Sequence, residues 1–217
     1  MKRKKIVRNF LAIVFSFIMC TNVFAATVTE TATNQANVLA ELRQQMKEIN
    51  EFMKQNLKPM DLENQTVKYI IPLSTGETAE YIFTMTQAPK PISRGITILD
   101  AKLGIWNFDS SLKLANHGTV KARTTVNITY VPSSSGSVPK FTAYNGTVSA
   151  IPDQYVSVDN TFAETTCLET NYDYKTSGYV GFNVYGIPAN FYFTQRITYV
   201  DNMTNYNKLQ VGFSGEF

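Results

Sequence analysis

Hydrophobic and polar positions along this chain change their period twice. Residues 10–20 (FLAIVFSFIMC) form an almost unbroken apolar run. Further on, Leu39, Leu42, Met46, Ile49 and Met53 recur at spacings of three and four, which places them on one stripe of a helix. The helix is predicted over residues 34–57, with Thr33 or Asn34 able to cap its start and Lys58-Pro59 ending it. From Val67 the period becomes two. Val67, Tyr69 and Ile71, then Ala79, Tyr81, Phe83 and Met85 across a Ser-Thr-Gly turn, read as a hairpin.

The rest of the chain continues in short alternating runs. Candidate strands are 96–99, 105–114, 120–131, 140–144, 147–151, 154–158, 168–175, 179–185, 191–200 and 208–213. Turn signals stand between them: Asn116-His117-Gly118, residues 133–137, Asn145-Gly146, Ser177-Gly178, Gly186-Ile187-Pro188 and Asp201-Asn202. Asn145-Gly146 is the sharpest, because Asn-Gly readily takes positive φ in a two-residue hairpin. The pattern predicts a mainly β fold. It is an antiparallel β-sandwich or partly open barrel, preceded by one N-terminal amphipathic helix. Residues 88–91 (Ala-Pro-Lys-Pro) form a stiff connector, expected to separate the first hairpin from the main sheets.

The first apolar run acquires a meaning from its flanks. Lys2, Arg3, Lys4, Lys5 and Arg8 precede it and the small residues Ala25 and Ala26 follow, which is the layout of a cleavable secretory leader. The run is too short for a membrane span of about 20 residues. Cys20 follows Met19 rather than a small residue, so it belongs to the apolar core and not to a lipidation site. The expected organisation is a signal peptide over 1–26, a lead and helix over 27–58, a hairpin and connector over 59–92, and a sandwich domain over 93–217. The protein is expected outside the cell, without a membrane span after cleavage.

Removing the leader reverses the charge. The chain holds 20 basic and 17 acidic residues. Five of the basic ones lie in the leader, so the exported chain carries 15 against 17, a net of −2. Its Lys and Arg are scattered singly, without the basic stripe of a nucleic-acid binder, and no nucleic-acid partner is expected. Of the two cysteines only Cys167 remains, which excludes an intramolecular disulfide and suits a small buried apolar residue.

Several features together carry a resemblance. They are Ser93-Arg94-Gly95, the Trp106/Phe108 strand, a strand around Leu168, the hairpin of residues 179–200 and the closing Lys208-Leu209-Gln210-Val211. From residue 93 to the end this layout resembles small secreted β-rich domains of unknown function in Gram-positive, clostridia-like anaerobes. The resemblance implies a β-sandwich and an extracellular bacterial setting. It implies no activity, so it assigns no functional residue. In that setting the Asn-x-Ser/Thr sequons at Asn64, Asn127, Asn145 and Asn202 are chance occurrences.

Candidate chemistry is sparse, and no catalytic residue, cofactor or metal is expected. The one histidine, His117, lies in a turn and reads as solvent-exposed; no Gly-x-Ser-x-Gly elbow accompanies it. Asp100 and Asp109 flank the Trp106 strand and offer the carboxylate pair of a glycan hydrolase, against the plainer reading of solvated acids. Asn171-Tyr172-Asp173 and Asp201-Asn202 hold oxygen donors for calcium, but ordinary turn chemistry accounts for both. An aromatic face remains. Strand alternation places Tyr179, Asn183 and Tyr185 on one side of their strand and Tyr192 and Arg196 on the matching side of the next. Tyrosine combines flat apolar area with a hydroxyl, which suits a glycan or protein partner. The leading expectation is a secreted, non-enzymatic binding module using that face. The alternative is a secreted carboxylate hydrolase acting on glycans. Self-association through Leu39, Leu42, Met46, Ile49 and Met53 is a third reading of the helical stripe, beside simple packing on the β body.

Overall fold

The computed structural model describes residues 36–89, 103–133, 136–152, 156–167, 173–184, 187–199 and 208–217. The expected leader, Ser93-Arg94-Gly95, strand 96–99, Asp100, Leu168, Asn171-Tyr172, Tyr185 and Asp201-Asn202 lie outside them. The chain divides into two compact units, residues 1–40 and 41–217. Of the first, only residues 36–40 are described, and they are helical. The second unit holds the remaining helical residues and every described strand.

Among the described residues helix α1 covers 36–56, and its end lies one residue from the predicted bound. Its last bond runs from the Leu57 amide to the Met53 carbonyl at 3.0 Å, just ahead of Lys58-Pro59. The strands are β1 (Met60–Asp61), β2 (Gln65–Pro72), β3 (Thr78–Gln87), β4 (Gly104–Lys113), β5 (Thr119–Ser133), β6 (Gly136–Ile151), β7 (Val156–Cys167), β8 (Asp173–Val184), β9 (Ile187–Tyr199) and β10 (Lys208–Glu216). They form two open antiparallel sheets, ordered β1-β10-β9-β8-β7 and β2-β3-β4-β5-β6. Neither sheet closes on itself, so the fold is not a closed barrel.

Alternation builds the core. Tyr81, Phe83, Phe108 and Val126 from one sheet, and Val180, Phe191, Ile197 and Val211 from the other, are at most 1% exposed. Tyr81 and Phe213 meet across the gap with ring centroids 5.1 Å apart. The first hairpin does not stand apart behind its proline connector. β3 pairs with β4 from Glu80↔Lys113 to Gln87↔Trp106, which makes β2 and β3 part of the second sheet.

Two expected turns are strand interior. β6 runs through Asn145-Gly146, paired with Thr125 and Thr124, and β8 runs through Ser177-Gly178. In both cases glycine provides close approach rather than positive φ. A Cβ on Gly146 would lie 2.3 Å from Thr165 Oγ1 and 2.7 Å from Thr176 Cγ2, both on the opposite sheet. The strand expected at 154–158 is β7, which continues to Cys167; its Asp159, Asn160, Thr and Glu positions hide the alternation. Only the backbone of Cys167 is described.

Inside the sandwich a hydrogen-bonded chain joins the sheets. Thr124 Oγ1 donates to Gln195 Oε1 (2.5 Å), and Gln195 Nε2 donates to Ser110 Oγ (2.7 Å), which lies 2.8 Å from the Tyr81 hydroxyl. Because the one proton of Thr124 goes to Gln195, Thr176 donates to Thr124 (2.5 Å) and Thr165 to Thr176 (2.8 Å). Burial pushes the Tyr81 phenol well above its ordinary value, so the whole chain of groups stays uncharged.

Helix α1 covers the side of the sandwich between β2 and β10. Leu42, Met46, Ile49 and Met53 are at most 2% exposed. This is the packing expected of the stripe, and self-association through it would find four of its five residues already buried. The Asn50 side chain donates to the Gly215 carbonyl (2.8 Å) and accepts from its amide (3.1 Å), which caps the β10 edge. Gln45 does the same for Ala115 at 3.3 and 3.2 Å. Glu48 accepts from the Ser74 hydroxyl (2.5 Å), the Ser74 amide (2.8 Å) and Gln44 (2.6 Å). The Ser74 hydroxyl, then its amide, then Gln44 hold the Glu48 carboxyl below its ordinary value near 4.5. A depressed carboxyl stabilises the fold above its unfolded pKa, and that contribution disappears as pH falls through the folded value. Glu48→Gln should therefore lower the melting temperature at pH 7, with the two proteins converging in a melting series as pH falls through the lowered folded value of Glu48.

Candidate functional site

Antiparallel pairing of β7, β8 and β9 carries three aromatic residues into one row. Phe162 pairs with Tyr179, and Tyr179 with Tyr192. Their neighbours Val180, Phe191 and Phe193 point into the core, so alternation turns the row outward. Ring centroids are 5.9 Å apart for Phe162–Tyr179, at an interplanar angle of 26°. For Tyr179–Tyr192 they are 6.0 Å apart at 55°. Phe162 and Tyr192 are 50% and 53% exposed, with half-buried Tyr179 between them.

Elsewhere among the described residues the large exposed apolar side chains are Ile70, Ile105 and Ile151. Ile70 and Ile151 occupy opposite edge strands of the second sheet, β2 and β6, so they form no patch with each other. Among the described residues the aromatic row is a place where exposed apolar side chains stand side by side, and contiguity distinguishes a site from ordinary surface.

Polar side chains surround the rings. The next row holds Glu164, Ser177 and Thr194, with Ser177 Oγ 3.3 Å from Thr194 Oγ1. A shallow groove of about 540 Å³ runs over these strands, lined by Phe162, Glu164, Lys175, Tyr179, Tyr192 and Thr194 among others. A second, of about 700 Å³, shares Tyr192 and Thr194 and continues over Ser214 and Glu216 to Arg43, Lys47 and Asn50 of α1. Strands and helix together line the two grooves, with the aromatic rings at one end and polar helix residues at the other.

No family model, curated protein or solved structure matches this chain. The functional reading therefore rests on the site itself.

The structure brings Tyr179 and Tyr192 together as expected. Asn183 shares their face but lies four residues along β8 from Tyr179, about 13 Å away. Arg196 lies four residues from Tyr192 in the other direction and is committed to a structural pair. Its Nε donates to both Asp173 oxygens at 2.9 Å, its second nitrogen also binds Oδ2, and Thr198 donates to Oδ1 at 2.9 Å. The Asp173 hydrogen bonds, then its charge, raise the Arg196 guanidinium above its ordinary value. Asp173, 7% exposed, is thus held by protein groups. Among the described residues no group of three His, Cys, Asp or Glu side chains is placed to hold a metal.

Asp109, one of the two acids of the hydrolase reading, is bound by Arg123 through Nε–Oδ1 (2.6 Å) and Nη2–Oδ2 (3.1 Å) on the other sheet. His117 differs from its expectation. The turn forms, with Asn116 at φ 59° and Gly118 at φ 90°, but the ring is only 8% exposed, and Nε2 lies 3.2 Å from Glu41 Oε1. The helix covers it, 76 residues away in sequence. Sequence reasoning missed Phe162, because the polar β7 was not read as a strand there, and missed the helix residues Arg43, Lys47 and Asn50. The one available signal was the exposed side of the helical stripe, which carries Arg43 and Lys47 one turn apart.

Proposed function

We propose that this protein is an exported, non-enzymatic binding module whose saccharide-binding surface is the outer face of β7, β8 and β9. The observation that carries this reading is the row of Phe162, Tyr179 and Tyr192 on the outer face of the sheet, with its two end rings half exposed. Sugar rings present apolar C–H faces to aromatic rings and hydroxyls to the rim, and this row meets both needs with Ser177, Thr194 and Glu164 beside it. Successive rings lie about 6 Å apart, so a glycan chain lying across the strands can touch all three. Export through the leader at residues 1–26 and kinship with the clostridia-like secreted domains belong to the same reading.

Affinity electrophoresis through gels containing soluble polysaccharides tests it. The protein should be retarded by at least one of them. Tyr192→Ala should weaken that retention about tenfold or more, as loss of an exposed aromatic anchor does. Retention left unchanged by Tyr192→Ala and by Phe162→Ala would remove the row from the site.

A further inference from the structure

The outer face of β7, β8 and β9 continues past the rings into a third row. Pairing sets Glu164, Ser177 and Thr194 in one row, Phe162, Tyr179 and Tyr192 in the next, and Asn160, Gly181 and Asn190 in the last. Neighbouring rows are about 6.5–7 Å apart along the strands. A β-bulge leads into the last row. Val158 pairs with the buried Phe182 and Asn160 with Gly181, which leaves Asp159 as an extra residue. The bulge resets the alternation, so that Asn160 faces outward with Phe162 while Val158 stands opposite a core residue. Gly181 then makes room for the asparagines. A Cβ on Gly181 would overlap Asn160 Oδ1 and lie 3.4 Å from Asn190 Oδ1, so both side chains lean over β8 from its two sides. Gly181 is buried beneath them, and Asn160 and Asn190 are exposed. Asn190 Nδ2 donates to the Tyr192 hydroxyl at 3.3 Å, which ties this row to the rings.

A carboxamide presents a donor and an acceptor side by side without charge, which matches two neighbouring hydroxyls. Across the rings Ser177 and Thr194 are uncharged too, and the groove there carries Glu164 and Lys175 with opposite signs. Asp159, exposed and next to Asn160 in the chain, adds a negative charge on the asparagine side. We infer that the ligand is an uncharged oligosaccharide, and that Asn160 and Asn190 select it by hydrogen-bonding adjacent hydroxyls of the sugar held at Tyr179 and Tyr192. This rests on the saccharide reading of the same face and adds the class of sugar and the residues that discriminate among sugars. The rings hold any sugar of suitable shape, while the carboxamides sense how its hydroxyls are arranged.

Calorimetric titration separates this inference from the reading beneath it. The probes are neutral glucan, mannan, xylan and chitin fragments and an acidic oligogalacturonate of matched length. At least one neutral fragment should bind, and more tightly than the acidic one. Asn160→Ala and Asn190→Ala should each weaken that binding about three- to tenfold and narrow the gap between glucan and mannan, which differ in the configuration of a hydroxyl. Both residues are exposed, so the fold is kept. Gly181→Ala should push the Asn160 side chain aside and weaken binding as Asn160→Ala does, with little further loss when the two are combined. Tyr192→Ala should weaken binding of every sugar alike. Unchanged affinity and ranking in the double asparagine variant, or tighter binding of the acidic fragment, overturns this inference and leaves the saccharide surface standing. Failure of every probe, or binding indifferent to both Tyr192→Ala and Phe162→Ala, overturns both.

Discussion

Gln195→Leu should cost about 3 kcal/mol of folding stability although the substitution nearly conserves volume. Gln195 is fully buried, and its two amide ends serve different partners on the opposite sheet. Thr124 donates to its oxygen and Ser110 accepts from its nitrogen. Leucine leaves the Thr124 proton without that acceptor and removes one of the bonds on Ser110. Each stranded buried group costs about 1–3 kcal/mol, more than the bond itself contributes when intact. Thr124→Val removes the stranded hydroxyl, so the double variant should be less destabilised than the two single changes added together, by about 1 kcal/mol. Urea unfolding measures all three. The single Trp106, 2% exposed in the core, reports the transition by fluorescence. Additive losses would show that the polar chain does not act as a unit.

Gly178→Ala should be at least as damaging, at about 3 kcal/mol, and should also disturb the proposed binding face. A Cβ there would lie 2.0 Å from the Phe162 carbonyl oxygen and 2.9 Å from Ala163 Cα. These are backbone atoms of the paired strand, so no rotamer change relieves the overlap and β7 must shift relative to β8. Phe162 moves with that shift, and its ring sits 5.9 Å from Tyr179. The variant should therefore melt earlier and bind sugar more weakly even at temperatures where it is folded. A stable Gly178→Ala protein with unchanged binding would mean that the close approach of β7 to β8 does not position the row.

Much of this architecture was legible because it depends on local period. The stripe of Leu42, Met46, Ile49 and Met53 is fixed by spacing alone, and each of these residues is buried. The alternation of Tyr81, Phe83 and Met85 identified an inward face in the same way. Local signals misled where glycine had a distant reason to be present. Asn145-Gly146 and Ser177-Gly178 have the composition of turns, but their glycines admit Thr165 and Thr176 in one case and the Phe162 backbone in the other. His117 looked exposed because its turn is real and its cover, the helix around Glu41, is remote in sequence. Two of the three rings in the aromatic row, Tyr179 and Tyr192, followed from alternation. Phe162 did not, since an edge strand whose residues are mostly polar on both faces carries little hydrophobic period.

The central claim is that ligand meets the protein on the outer face of β7–β9. Ring-proton resonances, followed by NMR as the retaining polysaccharide fragment is added, test it most directly. Those of Phe162, Tyr179 and Tyr192 should move together along one saturation curve, while the buried Trp106 ring stays in place. Shifts confined to the other sheet around Asp109, Arg123 and Thr147, with the three rings unmoved, would contradict the account.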